Sequence, residues 1–186
     1  MFNPFSSPYQ EPGFDEWKQE LEVLPPAEVS IREAESTVQD GRWMRWIQAV
    51  CESTFIQSVE DNVSKIGQYH VLLAVMADQP VGFCCVLPGR TDFDPLFIQL
   101  VAVVPAARKQ GVGLALLLAA ARWQPHRNIA MATLDENIAA QRLNERLAQS
   151  IGGTFQRVPV KRFRRSDLGF AQGERHRPWL IERTVC

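Results

Sequence analysis

The sequence predicts a mixed α/β fold of the α+β kind, with a mostly antiparallel twisted sheet flanked by helices. Three observations predict it. Short apolar runs bounded by proline and glycine recur along the chain. Segments with helical spacing separate them. The order is strand, two helices, three strands, helix, strand, helix, two strands, so a largely antiparallel front half leads into a strand–helix–strand–helix back half. At 186 residues and 46% apolar content, the chain can bury a core without disulfide or metal staples.

Residues 1–27 read as an appended arm, and residues 28–186 as a single domain. Pro4, Pro8, Pro12, Pro25 and Pro26 punctuate the arm, and Phe14 to Leu24 offers a short helix. Phe2, Phe5, Tyr9, Phe14 and Trp17 are too many aromatics for a plain tail, and suit packing on the domain or on another chain. Val29 to Arg32 reads as a short strand. Ser36 and Gln39 have capping-box spacing ahead of Trp43, Trp46, Ile47, Val50 and Cys51 at helical positions. A second helix is expected over Phe55 to Ile66.

Val71 to Met76 and Val81 to Val86 form an expected hairpin around Ala77-Asp78-Gln79-Pro80. Leu96 to Val104 is a third strand, stopped by Pro105, which has no N–H for a ladder. Gly111 to Trp123 is rich in alanine and leucine and reads as a helix. Ile129 to Thr133 is a short strand. Asn137 to Ser150 is amphipathic, with Ile138, Leu143, Leu147 and Ile151 on one side and Gly152-Gly153 as its stop. Phe155 to Phe163 and Trp179 to Thr184 are the expected closing strands.

Composition narrows the function. Net charge is −1 but uneven: residues 1–61 carry four Lys/Arg against twelve Asp/Glu, and residues 156–183 carry eight against three. The basic end suits phosphate, nucleic acid or an acidic partner, but reads first as a solvated hairpin face. Nucleic acid ranks last, because aromatics are sparse there. Cys51, Cys84, Cys85 and Cys186 contain no C-x-x-C pair, so neither a zinc site nor a redox motif is expected, and reduced thiols suit the cytoplasm. The longest apolar run, Val112 to Ala121, is about half of what a membrane helix needs.

The informative string runs from Gln99 to Leu117. A strand ends in Val103-Val104-Pro105, a loop carries Arg108 and Lys109, and Gly111-Val112-Gly113 opens a helix. The first turn of a helix has unpaired N–H groups, its dipole favours an anion, and glycine lets the backbone come close. A pyrophosphate suits this arrangement. A P-loop would need Gly-Lys-Ser/Thr where Gly113 is followed by Leu114, and a dinucleotide fingerprint would need glycine at Leu116.

This string resembles the acetyl-CoA signature of the GNAT (N-acetyltransferase) superfamily, Arg/Gln-x-x-Gly-x-Gly/Ala, met by Arg108, Gly111 and Gly113. Leu100, Val103 and Pro105 are similar to the family's fourth strand. Asn137, Ala140, Leu143, Leu147 and Gly152 resemble its last helix, and Ile31-Arg32-Glu33-Ala34 its opening. The likeness spans roughly Val29 to Thr184. It implies an enzyme that moves an acetyl group from acetyl-CoA to a primary amine on a small molecule or protein, by direct attack on the thioester. Val101 and Val103 would pair with the pantetheine arm, the backbone of Lys109, Gln110, Gly111, Val112, Gly113 and Leu114 would hold the pyrophosphate, and Asn137 would sit near the cofactor. Backbone N–H groups near Val103 would stabilise the oxyanion.

The chain departs from the family pattern at the proton-transfer positions. The helix tyrosine is replaced by Asn144, and Phe97, Ile98 and Gln99 are neutral where the fourth strand often carries a carboxylate. Asp92, Asp94 and Tyr69 remain as catalytic candidates beside Asn144, although Asp92 and Asp94 read first as caps of the turn before Pro95. The alternative is a catalytically silent GNAT-fold assembly protein, such as a phage virion component, with homo-oligomer or assembly contacts through the arm.

Overall fold

The computed structural model describes residues 7–51, 55–170 and 175–183. Its helices are α1 (Phe14–Glu22), α2 (Val38–Val50), α3 (Val59–Gln68), α4 (Val112–Trp123) and α5 (Ile138–Ser150). Its strands are β1 (Ser30–Glu33), β2 (His70–Met76), β3 (Gln79–Leu87), β4 (Leu96–Val103), β5 (Ile129–Thr133), β6 (Gly153–Arg157) and β7 (Arg177–Arg183). The strands form a seven-stranded sheet in the order β1-β2-β3-β4-β5-β7-β6. Pairs β1–β2, β5–β7 and β6–β7 are antiparallel, and β4–β5 is parallel. The mixed, mostly antiparallel α/β fold expected from the sequence is what the chain adopts. By its contacts the chain divides into two compact units, Met1–Phe83 with Ala102–Leu116 and Cys84–Val101 with Leu117–Cys186.

In the first unit, α1 buries Phe14, Trp17 and Leu21, the i, i+3, i+7 stripe of an amphipathic helix. The rings of Phe14 and Trp17 join Tyr9, Trp43 and Trp46 in one aromatic cluster, with Phe14 edge-on to Trp46 at 5.6 Å and Trp43 edge-on to Trp46 at 4.9 Å. The indole N–H of Trp17 donates to the Pro80 carbonyl at 3.3 Å. Glu11 accepts from Arg45 Nε at 2.6 Å and from Trp46 Nε1 at 2.7 Å. Much of the proline-punctuated segment is therefore tied to α2 by buried polar and aromatic contacts.

The cap of α2 differs from the sequence expectation. Thr37, not Ser36, is the N-cap, and its hydroxyl accepts from Asp40 N–H. The carboxylate three residues on is Asp40, which turns to the Glu35 N–H at 2.8 Å and takes both Arg32 guanidinium nitrogens at 2.7 Å. Gln39 is exposed. A buried acceptor with three donors holds the chain entry more firmly than an exposed amide can. The helix expected over Phe55 to Ile66 begins only at Val59, because Ser58 caps it through Asp61 N–H at 3.0 Å. Gly41 allows α2 and α3 to touch: a Cβ there would stand 2.8 Å from the Val59 carbonyl oxygen. The β2–β3 turn is tighter than expected, with Ala77 and Asp78 both at positive φ and Gln79-Pro80 already in the strand.

In the second unit, β5 lies between β4 and β7, with Ile129 paired to Leu96 on one side and to Ile181 on the other. Its sequence IAMAT is apolar because both neighbours are strands. Phe97, Ala130, Leu168, Phe170 and Leu180 form a core cluster, with Leu87, Ala132, Val158 and Phe163 packed against it. Gly152 at φ +66° ends α5 as a left-handed stop. Ile138 is 50% exposed rather than on the buried side, because it opens the first turn while the buried stripe is carried by Asn144, Leu147 and Ala148. Strand β6 stops at Arg157 instead of reaching Phe163: Val158 donates to the Pro178 carbonyl at 3.1 Å, and Pro159 has no N–H to continue the ladder. Cys51, Cys84 and Cys85 are buried thiols outside any disulfide, and burial pushes the Cys84 thiol well above its usual range. Cys186 and the expected strand end at Thr184 lie outside the described residues.

Candidate functional site

The segment that follows β4 belongs to the first unit. Val104 stays paired, donating to the Val81 carbonyl at 2.9 Å. Pro105 then stops the ladder, and Pro105–Ala107 form a single 3-10 turn closed by Ala107 N–H to Val104 O at 3.0 Å. Lys109 takes φ +63° and Gly111 φ +86°, so the chain reverses twice into the left-handed region before α4 starts. A Cβ built on Gly111 meets no protein atom within 4 Å. The glycine is needed for its φ, and its open face gives direct access to the backbone.

The first hydrogen bond of α4 runs from Ala115 N–H to Gly111 O at 2.9 Å. The amides of Val112, Gly113 and Leu114 therefore have no acceptor in a preceding turn. Val112 and Leu116 are buried and pin the helix start, while Arg108, Lys109, Gln110 and Gly111 are exposed. Gln110 Nε2 donates to the Ala106 carbonyl at 3.0 Å and braces the turn. Unpaired amides, the helix dipole, a concave left-handed turn and two exposed cations together make a site where a phosphate group fits.

Both polar groups of Val103, at the end of β4, are engaged by the protein itself. Its carbonyl accepts Arg108 Nε at 3.1 Å. Its N–H, together with the Arg108 side chain, hydrogen bonds to the Cys51 sulfur. Burial raises the Cys51 thiol, and these donors only partly offset it, so it stays above its ordinary value. Sequence reasoning took Cys51 as a plain core thiol and missed its meeting with Arg108. Nothing in a separation of more than fifty positions signals that contact.

Tyr69 closes α3 through its N–H to Lys65 O at 2.9 Å, and Lys65 Nζ stands 5.9 Å from its ring centroid. In the second unit, Val101 is half-buried on β4. Asn137 is the N-cap of α5, its Oδ1 accepting from Ala140 N–H at 3.0 Å. Asn144 is buried at mid-helix. Asp92 accepts from Arg127 Nη2 at 3.0 Å. Asp94 accepts from the backbone N–H and the hydroxyl of Thr91, both at 2.9 Å, and these bonds hold its carboxyl below the usual range. Both aspartates thus cap and clamp the turn before Pro95, as their spacing suggests. Among the described residues no cluster of three or more His, Cys, Asp or Glu could hold a metal ion, and no helix is long and apolar enough to cross a membrane.

Residues 37–148 match the model of the acetyltransferase (GNAT) family. No curated protein matches the chain in sequence. Among solved structures, the diaminobutyrate acetyltransferase of Paenibacillus lautus, in complex with L-2,4-diaminobutyric acid and coenzyme A, has a TM-score of 0.66 at 18% identity, covering 84% of this chain and 95% of its own. The ribosomal-protein-S18-alanine N-acetyltransferase of Escherichia coli has a TM-score of 0.62 at 17% identity, covering 86% and 97%. YncA of Salmonella typhimurium, with its cofactor acetyl-CoA, has a TM-score of 0.56 at 18% identity, covering 82% and 91%. At these identities the likeness is one of fold.

Proposed function

The chain belongs to the acetyltransferase (GNAT) family, and from that premise we propose that it moves an acetyl group from acetyl-CoA to a primary amine. The observation that carries the reading is the turn from Arg108 to Gly113, where Lys109 and Gly111 are left-handed and the first amides of α4 have no acceptor. Those amides would take the pyrophosphate oxygens, and Arg108 and Lys109 would add charge at the rim. Structures of coenzyme A and acetyl-CoA complexes with the same fold support the choice of donor.

In the reaction the amine lone pair attacks the thioester carbonyl, the C–S bond breaks, and the thiolate leaves with a proton while the amine loses one. A backbone N–H at the end of β4 would stabilise the oxyanion, worth about 3–4 kcal/mol for one donor. Pairing of the pantetheine arm with Val103 would require the Arg108 side chain to leave the Val103 carbonyl. Arg108 would then be free to reach a phosphate. For proton transfer, Asp94 is a weak base, because its bonds to Thr91 stabilise the carboxylate. Asn144 cannot donate a proton usefully, so the amine's proton is best passed to water.

Calorimetric titration with acetyl-CoA, run on the wild type and on Gly113→Trp, tests the reading. Binding by the wild type and loss in the folded variant is the expected result. Absence of binding by the wild type at millimolar acetyl-CoA would overturn it, and would favour an assembly protein built on the same fold.

A further inference from the structure

We infer that the turn from Lys161 to Arg165, in the connection between β6 and β7, is a recognition surface for an acidic peptide segment of a partner protein. The inference concerns a surface of the second unit and stands independently of acetyl transfer. Its first support is charge. From Arg157 to Phe170 the sequence holds five cations (Arg157, Lys161, Arg162, Arg164, Arg165) and one carboxylate, Asp167. That carboxylate is turned inward, with its side chain 14% exposed and Arg90 3.8 Å away. Arg157 is matched by Asp135. Lys161, Arg162, Arg164 and Arg165 are exposed and pair with no carboxylate among the described residues.

The second support is that the surface is built, not merely charged. Gln99 Nε2 donates to the carbonyls of Ser166 at 2.9 Å and Asp167 at 3.1 Å. Gly169 comes so close to β4 that a Cβ there would stand 2.7 Å from the Gln99 Cβ. Arg164 and Arg165 head a closed turn, their carbonyls accepting from Asp167 N–H and Leu168 N–H at 3.1 Å each. Leu168 and Phe170 are buried in the core cluster, and Phe163 packs against it. The guanidinium of Arg162 lies 5.9 Å from the Phe163 centroid, and that of Arg165 lies 5.9 Å from the Phe170 centroid. A solvated charge run has free side chains; here one guanidinium lies within cation–π range of the core ring Phe170 and another within range of Phe163, which packs against the core, and this reduces the entropy lost when they grip a ligand.

The chemistry favours carboxylates over nucleic acid. A guanidinium fork matches a carboxylate in bidentate fashion, as Arg32 does with Asp40 through both terminal nitrogens at 2.7 Å. Base stacking needs open aromatic faces, and those of Phe163 and Phe170 are taken up by arginine and by the core.

The test uses the whole chain and a fluorescein-labelled dodecapeptide of alternating glutamate and glycine, with a glutamine–glycine peptide and an oligothymidylate of equal charge as comparisons. Fluorescence anisotropy at low salt is expected to show binding of the glutamate peptide alone. The charge variant R162Q/R164Q/R165Q should weaken it by more than about ten-fold. Gln99→Leu, which keeps every charge but unpins the turn, should weaken it several-fold with circular dichroism unchanged. Failure to bind the glutamate peptide, equal binding by the charge variant, or tighter binding of the oligothymidylate would overturn the inference. An unaffected Gln99→Leu would overturn the claim that the surface is built.

Discussion

Replacing Glu11 by alanine should cost the first unit a large part of its stability. Glu11 and Arg45 each have 7% of their side chain exposed, and their contact is 2.6 Å. Glu11 also accepts the Trp46 indole N–H, and Arg45 Nη1 donates to the Gln57 carbonyl at 2.7 Å. Removing one partner of a buried pair leaves the other charged and desolvated, at a cost of about 3–5 kcal/mol. The orphaned indole N–H adds about 1–3 kcal/mol, not fully additively. Taking about 4 kcal/mol, and about 2–4 °C per kcal/mol for a chain of this size, the expected fall in Tm is roughly 8 to 16 °C. Differential scanning calorimetry reads it directly. The double variant E11L/R45M removes both charges at similar volume and should recover more than half of the loss, but not all, because Trp46 Nε1 and the Gln57 carbonyl still lack their partners. A loss below about 1 kcal/mol for Glu11→Ala would refute the reasoning. So would a double variant less stable than the single one.

Three further outcomes follow from the same geometry. Gly111→Ala should cost only about 1–2 kcal/mol of stability, since its Cβ meets nothing but its φ is +86°; in calorimetry it should weaken acetyl-CoA by about ten-fold or more, by crowding an amide-lined turn. Gly82→Ala should be the reverse: a Cβ 2.7 Å from the Ala102 carbonyl oxygen and 3.4 Å from Leu116 Cδ1 forces the sheet to move, and urea unfolding should show a loss of about 1–3 kcal/mol. Arg32→Gln should raise the midpoint pH of acid unfolding. Burial raises the Asp40 carboxyl, but the Arg32 and Glu35 hydrogen bonds outweigh it and hold the group below its usual value. A depressed carboxyl stabilises the fold above its unfolded pKa, and that contribution disappears as pH falls through the folded value. With Arg32 gone, most of that contribution is already missing at neutral pH, so the smaller remaining stability is exhausted at a higher pH, which circular dichroism across pH 2–6 would register (about the range of carboxylate titration).

The elements that were legible in the sequence are those whose signal is local. Strand β5 was bounded to the residue, because Ile129 to Thr133 is an apolar run between a proline-ended helix and a helix cap. The stop of β4 at Pro105 and the left-handed end of α5 at Gly152 follow from backbone rules that single residues announce. The errors arose where a distant partner decided the outcome. Thr37 displaced Ser36 as cap because Asp40, not Gln39, had Arg32 within reach. The aromatics around Trp17 stand out in the sequence, but their destination against Trp46 depends on Glu11 meeting Arg45 across 34 positions.

The same distinction explains why a candidate anion-binding turn is easier to propose from sequence than a proton-transfer group. Amide donors belong to every residue, so the sequence need only encode a backbone path: a proline to end the strand, a glycine at φ +86°, and an alanine- and leucine-rich helix to aim its dipole. Arg108, Gly111 and Gly113 therefore stand within six positions of each other. A base or acid works only through the atoms around it, and those come from elsewhere in the chain. Asp94 illustrates the consequence. Its residue type suits a base, yet two donors from Thr91 satisfy its carboxylate and depress its affinity for a proton. Arg108 makes the converse point, since its motif assigns it to a phosphate while its Nε in this structure is spent on the Val103 carbonyl. On the proposed reading the pantetheine arm competes with that bond, so Arg108→Ala should lose phosphate charge and gain strand access at once. The two effects oppose each other in affinity, and a titration with coenzyme A alongside one with its phosphate-free pantetheine analogue would separate them.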